Sequence, residues 1–202
     1  MAAGNAGFNA EPQSAIISTT APRRRSLVNL YLRLIRLLFQ LPFVRRQPLL
    51  EAGRIAFRVW PNDCDLNLHL NNGRYLTFMD LGRVHLLAQI GLLGELWRRH
   101  WAPVLSAAEI SFIRPIQPFQ KFDLVTRLLT WDEKYFYIEQ RFVAGGRLCA
   151  VALVKGLFLH RRKRVEMHAV LAALRLDSAA PDMPEVVRHW NDLATLKKQH
   201  LS

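Results

Sequence analysis

The stretch from Asp63 to Leu93 reads "DCDLNLHLNNGRYLTFMDLGRVHLLAQIGLL". Its first part crowds Asp63, Asp65, Asn67, His69, Asn71 and Asn72 into ten residues. Its second part, from Tyr75 on, is apolar on nearly every face of a helix, the pattern of a helix buried on most sides. Gly91 and Gly94 are expected to mark its exit. Just upstream, "RIAFRVW" (Arg54–Trp60) alternates apolar and polar residues, as a half-buried strand does. The polar cluster therefore stands at a strand-to-helix junction.

Downstream, "AAEISFIRPI", "KFDLVTRLLTWD", "KYFYIEQRFVAGG" and "RLCAVALVKGLFLHRRK" are strand-like runs. They are punctuated by Pro115, Pro118, Asp132-Glu133 and Gly145-Gly146, the last a hairpin-turn signal. One strand, a buried helix and four antiparallel strands predict an α+β fold, a sheet wrapped around a central helix. The run from Leu148 to Leu159 is long and apolar enough to be an aggregation hazard if its edge were left open. From Val165 the chain reads as one or two amphipathic helices, with "EVVRHWNDLATLKKQ" the clearer.

The 202 residues suit one core plus extensions, and a net charge of +12 is unevenly placed. Seven arginines and no acid lie between Ala21 and Leu50, and Arg161, Arg162, Lys163 and Arg164 form a second basic run. Such clusters suit an anionic partner. Two cysteines, Cys64 and Cys149, do not make a disulfide framework, and a reducing, cytoplasmic setting is the expectation.

Four segments are expected. Residues 1–22 form a disordered lead-in. Residues 23–50 hold a basic amphipathic helix that Pro42 ends. Residues 51–164 form the core domain, and 165–202 a helical extension. Arg33 and Arg36 inside the apolar run disfavour a membrane span but suit a helix lying on a membrane surface, where long arginine side chains snorkel. An anionic membrane surface contacted through residues 23–46 is one reading of this segment, and a helix packed on its own domain the other. Arginines gathered beside leucines, with no aromatic stacking platform, make nucleic acid an unexpected partner.

At the junction, Asn71 or Asn72 suits a helix cap and Gly73 permits close approach of backbone or ligand. The helix N-terminus favours an oxyanion, and Asp65 just before it could attack an activated acyl carbonyl or deprotonate a water that does. The same residue types are common turn and cap formers, so the residues alone leave a structural role open.

The segment from Phe57 to Arg83 resembles the acyl-CoA thioesterases of the hotdog superfamily, particularly the 4-hydroxybenzoyl-CoA thioesterase-like branch. The matching positions are Asp65, His69, Asn71, Asn72, Tyr75, Asp80 and Arg83. "DLNLHLNN" is also similar to plant acyl-carrier-protein thioesterases, which implies functional roles for Asp65, Asn67 and His69. A further likeness is to the group called thioesterase superfamily member six, whose members place a hydrophobic, membrane-associated segment before the hotdog. Two departures stand out. Many relatives have Gly where this chain has Leu68, and the further acid of the plant enzymes falls on Ile113 or Arg114, with Glu109 the only acid on that strand.

The resemblance implies hydrolysis of a fatty acyl thioester of coenzyme A or acyl-carrier protein by a homodimer or higher oligomer. Asp65, Asn67 and His69 would be catalytic, with Asp65 as general base or nucleophile, and Asn71, Asn72, Gly73 and Tyr75 would bind substrate. Arg161, Arg162, Lys163 and Arg164 would hold coenzyme A phosphates. No metal or cofactor is expected beyond coenzyme A as part of the substrate. Cys64 is expected to be inert and Asp80 with Arg83 to form a helix pair. The rival reading is a non-catalytic acyl-thioester-binding scaffold or sensor at the membrane surface.

Overall fold

The computed structural model describes residues 25–201. The expected lead-in, residues 1–22, lies outside the described residues. Helices α1 (Arg25–Gln40), α2 (Asn72–Gln89), α3 (Leu92–Arg99), α4 (Met167–Ala173) and α5 (Glu185–Leu201) surround six strands. These are β1 (Gly53–Arg58), β2 (Trp101–Phe112), β3 (Lys121–Trp131), β4 (Phe136–Ala144), β5 (Arg147–His160) and β6 (Lys163–Val165). The main sheet is antiparallel in the order β1-β3-β4-β5-β2, with the short β6 added beside β5. This is the hotdog architecture: a curled sheet around α2.

Helix α2 packs on β1 and β3, turning Tyr75, Phe78, Met79, Leu81 and Leu86 inward. Phe78 meets Phe57 and Phe122, whose ring in turn contacts Phe142. Gly82 makes the close approach possible. A Cβ there would stand 2.7 Å from both Leu124 Cδ2 and Thr126 Oγ1. The Gly145-Gly146 turn joins β4 to β5 with both residues at positive φ, as a two-residue hairpin demands.

Several expectations need correction. Gly91 does end α2, at φ +85, but Gly94 lies within α3, which the sequence reading folded into the same exit. Strand β2 starts at Trp101, six residues before the expected run, because Trp101 to Leu105 pair with β5 as well as the residues beyond do. The apolar strand β5 is not an edge. It is flanked by β4 and β2, so its ladder is satisfied on both sides. The open edge opposite β1 is β2, whose residues are exposed along most of its length. The basic run does not simply end a strand: Arg161 and Arg162, at φ 47 and 69, make the turn from β5 into β6.

Helix α1 has two faces. Leu37 is buried against the domain and Leu34 and Leu41 pack beside it. Ile35, Leu38, Phe39 and, just beyond the helix, Phe43 are exposed. Pro42 sits in the short 3-10 turn that follows Gln40, where the expected end falls. Among the described residues, no single helix is long and apolar enough to cross a membrane.

Candidate active site

Between β1 and α2 the chain makes a compact loop closed by an isolated bridge between Cys64 and Leu70. The Asp65 N–H donates to the His69 carbonyl at 3.1 Å, and the Leu68 N–H donates to the Asp65 carbonyl at 3.1 Å. Such a tight return needs one left-handed residue. Leu68 supplies it at φ 56, at the position where the resemblance expects glycine. Leu66 and Leu68 point outward, 100 % and 70 % exposed.

Within this loop Asp65 is held but not sealed. Its Oδ1 accepts the Asn67 N–H at 2.9 Å and lies 3.7 Å from His69 Nδ1. The Asp65 side chain keeps about a fifth of its surface exposed, that of His69 about a third. Among the described residues, Oδ2 accepts no hydrogen bond. Asn67 contributes through its backbone amide; its side chain is exposed.

At the helix mouth, Asn71 is the cap. Its Oδ1 accepts the Gly73 N–H at 2.9 Å and its carbonyl accepts the Arg74 N–H at 2.8 Å. Two of the first-turn amides are thereby occupied. The Asn72 N–H has no partner among the described residues. Tyr75 is buried, its ring against Phe112 and Phe142, and burial pushes its hydroxyl pKa up to about 12. Burial first, then the charges of Asp63 and Asp65, push the Cys64 thiol up, away from the thiolate that nucleophilic attack requires.

Sequence reasoning missed Asp63 and its partner. Asp63 is 1 % exposed, and its Oδ2 accepts from the Trp60 N–H at 2.9 Å and from Arg33 Nη2 at 2.6 Å. Arg74 Nε approaches Oδ1 at 3.7 Å. Arg33 does not snorkel outward. It crosses from α1 to the loop, its guanidinium 4.6 Å over the Phe78 ring. The clue was a lone arginine on the helix face that also carries Leu37, which asks for a buried anion.

The loop joins the segment that follows β2: the Leu70 N–H donates to the Ile116 carbonyl at 2.9 Å. On α2, Tyr75 meets Phe112 at the end of β2 edge-on. Phe112 and Ile113 are each about half exposed there. Ile113 and Arg114, where a further acid was sought, both donate their N–H groups to the Cys149 carbonyl. Glu109 is exposed on β2, opposite Leu153 in the ladder. Asp80 pairs with Arg83, whose Nη1 also donates to the buried Gln140 at 2.8 Å. The hairpin Arg161–Arg164 is exposed beside His160, which pairs with Trp101 at the other end of β2. Eleven strand steps separate that end from Phe112, roughly 35 Å at about 3.3 Å per residue.

A small apolar cavity of about 40 Å³ lies among Leu86, Leu128, Ile138, Phe158 and Val170. A larger one of about 730 Å³ lies between α1 and β1. Neither is lined by Asp65 or Asn72.

Comparison with known proteins supplies the family. A thioesterase-like superfamily model matches residues 59–191. Protein THEM6 of Danio rerio is 31 % identical over 169 residues, covering 83 % of this chain and 81 % of the relative. The probable thioesterase YbaW of Escherichia coli superposes with a TM-score of 0.56 at 21 % identity, covering 60 % of this chain and 95 % of its own. A gentisyl-coenzyme A thioesterase superposes with a TM-score of 0.54 at 22 % identity, covering 60 % and 99 %. The family model over residues 59–191 and a relative covered over most of its length, in agreement with the wrapped-helix fold, lead to one conclusion: the chain belongs to the thioesterase-like superfamily and is a thioester hydrolase.

Proposed function

We propose that the chain hydrolyses fatty acyl-coenzyme A thioesters beside a membrane, as a homodimer joined through β2, with Asp65 as general base. The observation that carries this is the state of Asp65. One oxygen is fixed by the Asn67 amide, and the other accepts no hydrogen bond among the described residues on a side chain about a fifth exposed. Water hydrogen-bonded to Oδ2 loses a proton to it while its oxygen attacks the acyl carbonyl. The Asn72 amide at the helix N-terminus, aided by His69, stabilises the oxyanion. Collapse breaks the C–S bond, and the proton on Asp65 passes to the departing thiolate.

The need for a second copy follows from what one copy lacks. Leu66 and Leu68 beside Asp65 in the loop, and Phe112 and Ile113 at the end of β2, are exposed in one copy, and neither cavity described above is lined by Asp65. Antiparallel pairing of two β2 edges would cover Val104, Leu105 and Phe112 and remove an unpaired strand. It would also bring the Trp101 end of one strand beside the Phe112 end of the other. The Arg161–Arg164 hairpin, distant from Asp65 in its own protomer, then stands near the Asp65 of its mate, where it can meet coenzyme A phosphates.

The test is thiol release from a series of acyl-coenzyme A substrates. Asp65→Asn should lower kcat by roughly a hundredfold or more, the usual contribution of general-base catalysis, with unchanged thermal stability. Equal turnover by both proteins removes Asp65 from the chemistry. Single turnover in ¹⁸O-labelled water separates base from nucleophile: label in the Asp65 carboxylate contradicts the base. The scaffold reading is favoured if wild type binds acyl-coenzyme A and releases no thiol.

A further inference from the structure

The larger cavity is unlike the rest of the molecule. Between α1 and the edge strand β1, about 730 Å³ of space is walled by Arg33 and Arg36 on one side and by Arg54, Arg58 and Lys121 on the other. Its floor is apolar, made by Leu37, Ile55 and Phe57, and no carboxylate lines it. Arg33 is paired with Asp63 and Arg54, at 3.3 Å, with Asp123, which leaves Arg36, Arg58 and Lys121 facing the space. Arg58 donates to the Phe119 carbonyl. Among the described residues, no carboxylate pairs with Arg36 or Lys121. Like charges gathered this closely repel one another, and a bound anion relieves that repulsion.

We propose that this groove binds the phosphate-bearing head of an anionic phospholipid. Charge complementarity calls for phosphate. The apolar floor calls for an amphiphile in preference to a free ion, because a hydrated phosphate gains nothing from Leu37, Ile55 or Phe57. The neighbouring outer face of α1 supplies the setting. Leu32 lines the groove and is exposed, and Ile35, Leu38 and Phe39 continue an apolar surface away from it. A lipid lying along that surface can place its head between α1 and β1 and its chains against the outer leucines. The site is separate from Asp65 and does not depend on how Asp65 acts. Through Arg33, which touches both the groove and Asp63, it shares a wall with the loop that precedes the active site.

The experiment is calorimetric titration of the full chain with monomeric short-chain (dihexanoyl) phosphatidic acid, dihexanoyl phosphatidylcholine, coenzyme A and inorganic phosphate. Lys121→Glu and Arg36→Glu, both at exposed positions, are titrated alongside. The expected result is saturable binding of phosphatidic acid, weaker by roughly tenfold for phosphatidylcholine and for each charge reversal. Turnover of a thioester substrate by Lys121→Glu should equal that of wild type, which separates this site from the catalytic one. Phosphatidic acid binding that is absent, or unchanged in both variants, overturns the proposal. Inorganic phosphate binding as tightly as phosphatidic acid overturns the lipid assignment. So does coenzyme A binding as tightly and being lost on the same reversals, which would make the groove a substrate subsite. A loss of hydrolysis in Asp65→Asn leaves all these outcomes readable, so the two readings fail separately.

Discussion

Leu68 shows how a single residue records the demands of the site. At φ 56 it holds a left-handed conformation that costs an L-residue roughly 1 kcal/mol or more. Its side chain, 70 % exposed, recovers little of that cost within one protomer. Leu68→Gly relieves the strain but enlarges the freedom of the unfolded chain, so its effect on a protomer should lie between zero and about 1 kcal/mol of stabilisation. Chemical denaturation measures it. A loss of more than about 1 kcal/mol would show that Leu68 is packed in the functional assembly. His85 provides a second residue-scale test. Burial lowers its pKa, with a hydrogen bond to Gln89 opposing the shift. The unfolded chain therefore takes up this proton more readily than the folded one. The stability tied to His85 is present above its ordinary pKa of about 6.5 and is lost as pH falls through the lower folded value. Denaturation midpoints should fall between pH 7.5 and 5.5 for wild type and fall less for His85→Gln; equal slopes would refute the assignment.

Among the elements, those governed by local chemistry were legible in the sequence. The Asn71 cap, the all-round apolar α2 and the Gly145-Gly146 turn each depend on neighbours within a few residues. The start of β2 was not legible. "WAPVLS" carries Pro103 and Ala102, and only the ladder that pairs Trp101–Leu105 with Gly156–His160 of β5 makes it a strand. The same long-range pairing places strands on both sides of β5, so the hazard its apolar run would pose at an open edge does not arise. Arg33 was misread as snorkelling because its partner Asp63 lies thirty positions along the chain. Of the two readings offered for helix α1, the structure bears on the packed one: one face lies on the domain, while Ile35, Leu38, Phe39 and Phe43 are exposed and the membrane contact is a proposal. Replacing Leu38, Phe39 and Phe43 together with serine removes exposed apolar surface while sparing Leu37. Co-sedimentation with anionic vesicles should fall severalfold, since membrane binding scales with the apolar area inserted. Unchanged co-sedimentation with an unchanged fold would end the membrane reading.

For the whole molecule, the two edges of the sheet differ. The β1 edge faces α1 across a basic groove, whereas the β2 edge is open. In the proposed dimer, Asp65 works in a site completed by a second copy across β2. Subunit mixing between Asp65→Asn and a variant carrying Arg161→Glu, Arg162→Glu and Arg164→Glu tests this most directly. Each variant alone should hydrolyse acyl-coenzyme A poorly at subsaturating substrate. In a mixed dimer one site joins an intact Asp65 to an intact hairpin, so activity should rise toward half of wild type. Mixed dimers that form, as mass spectrometry can establish, yet regain no thiol release would contradict the claim.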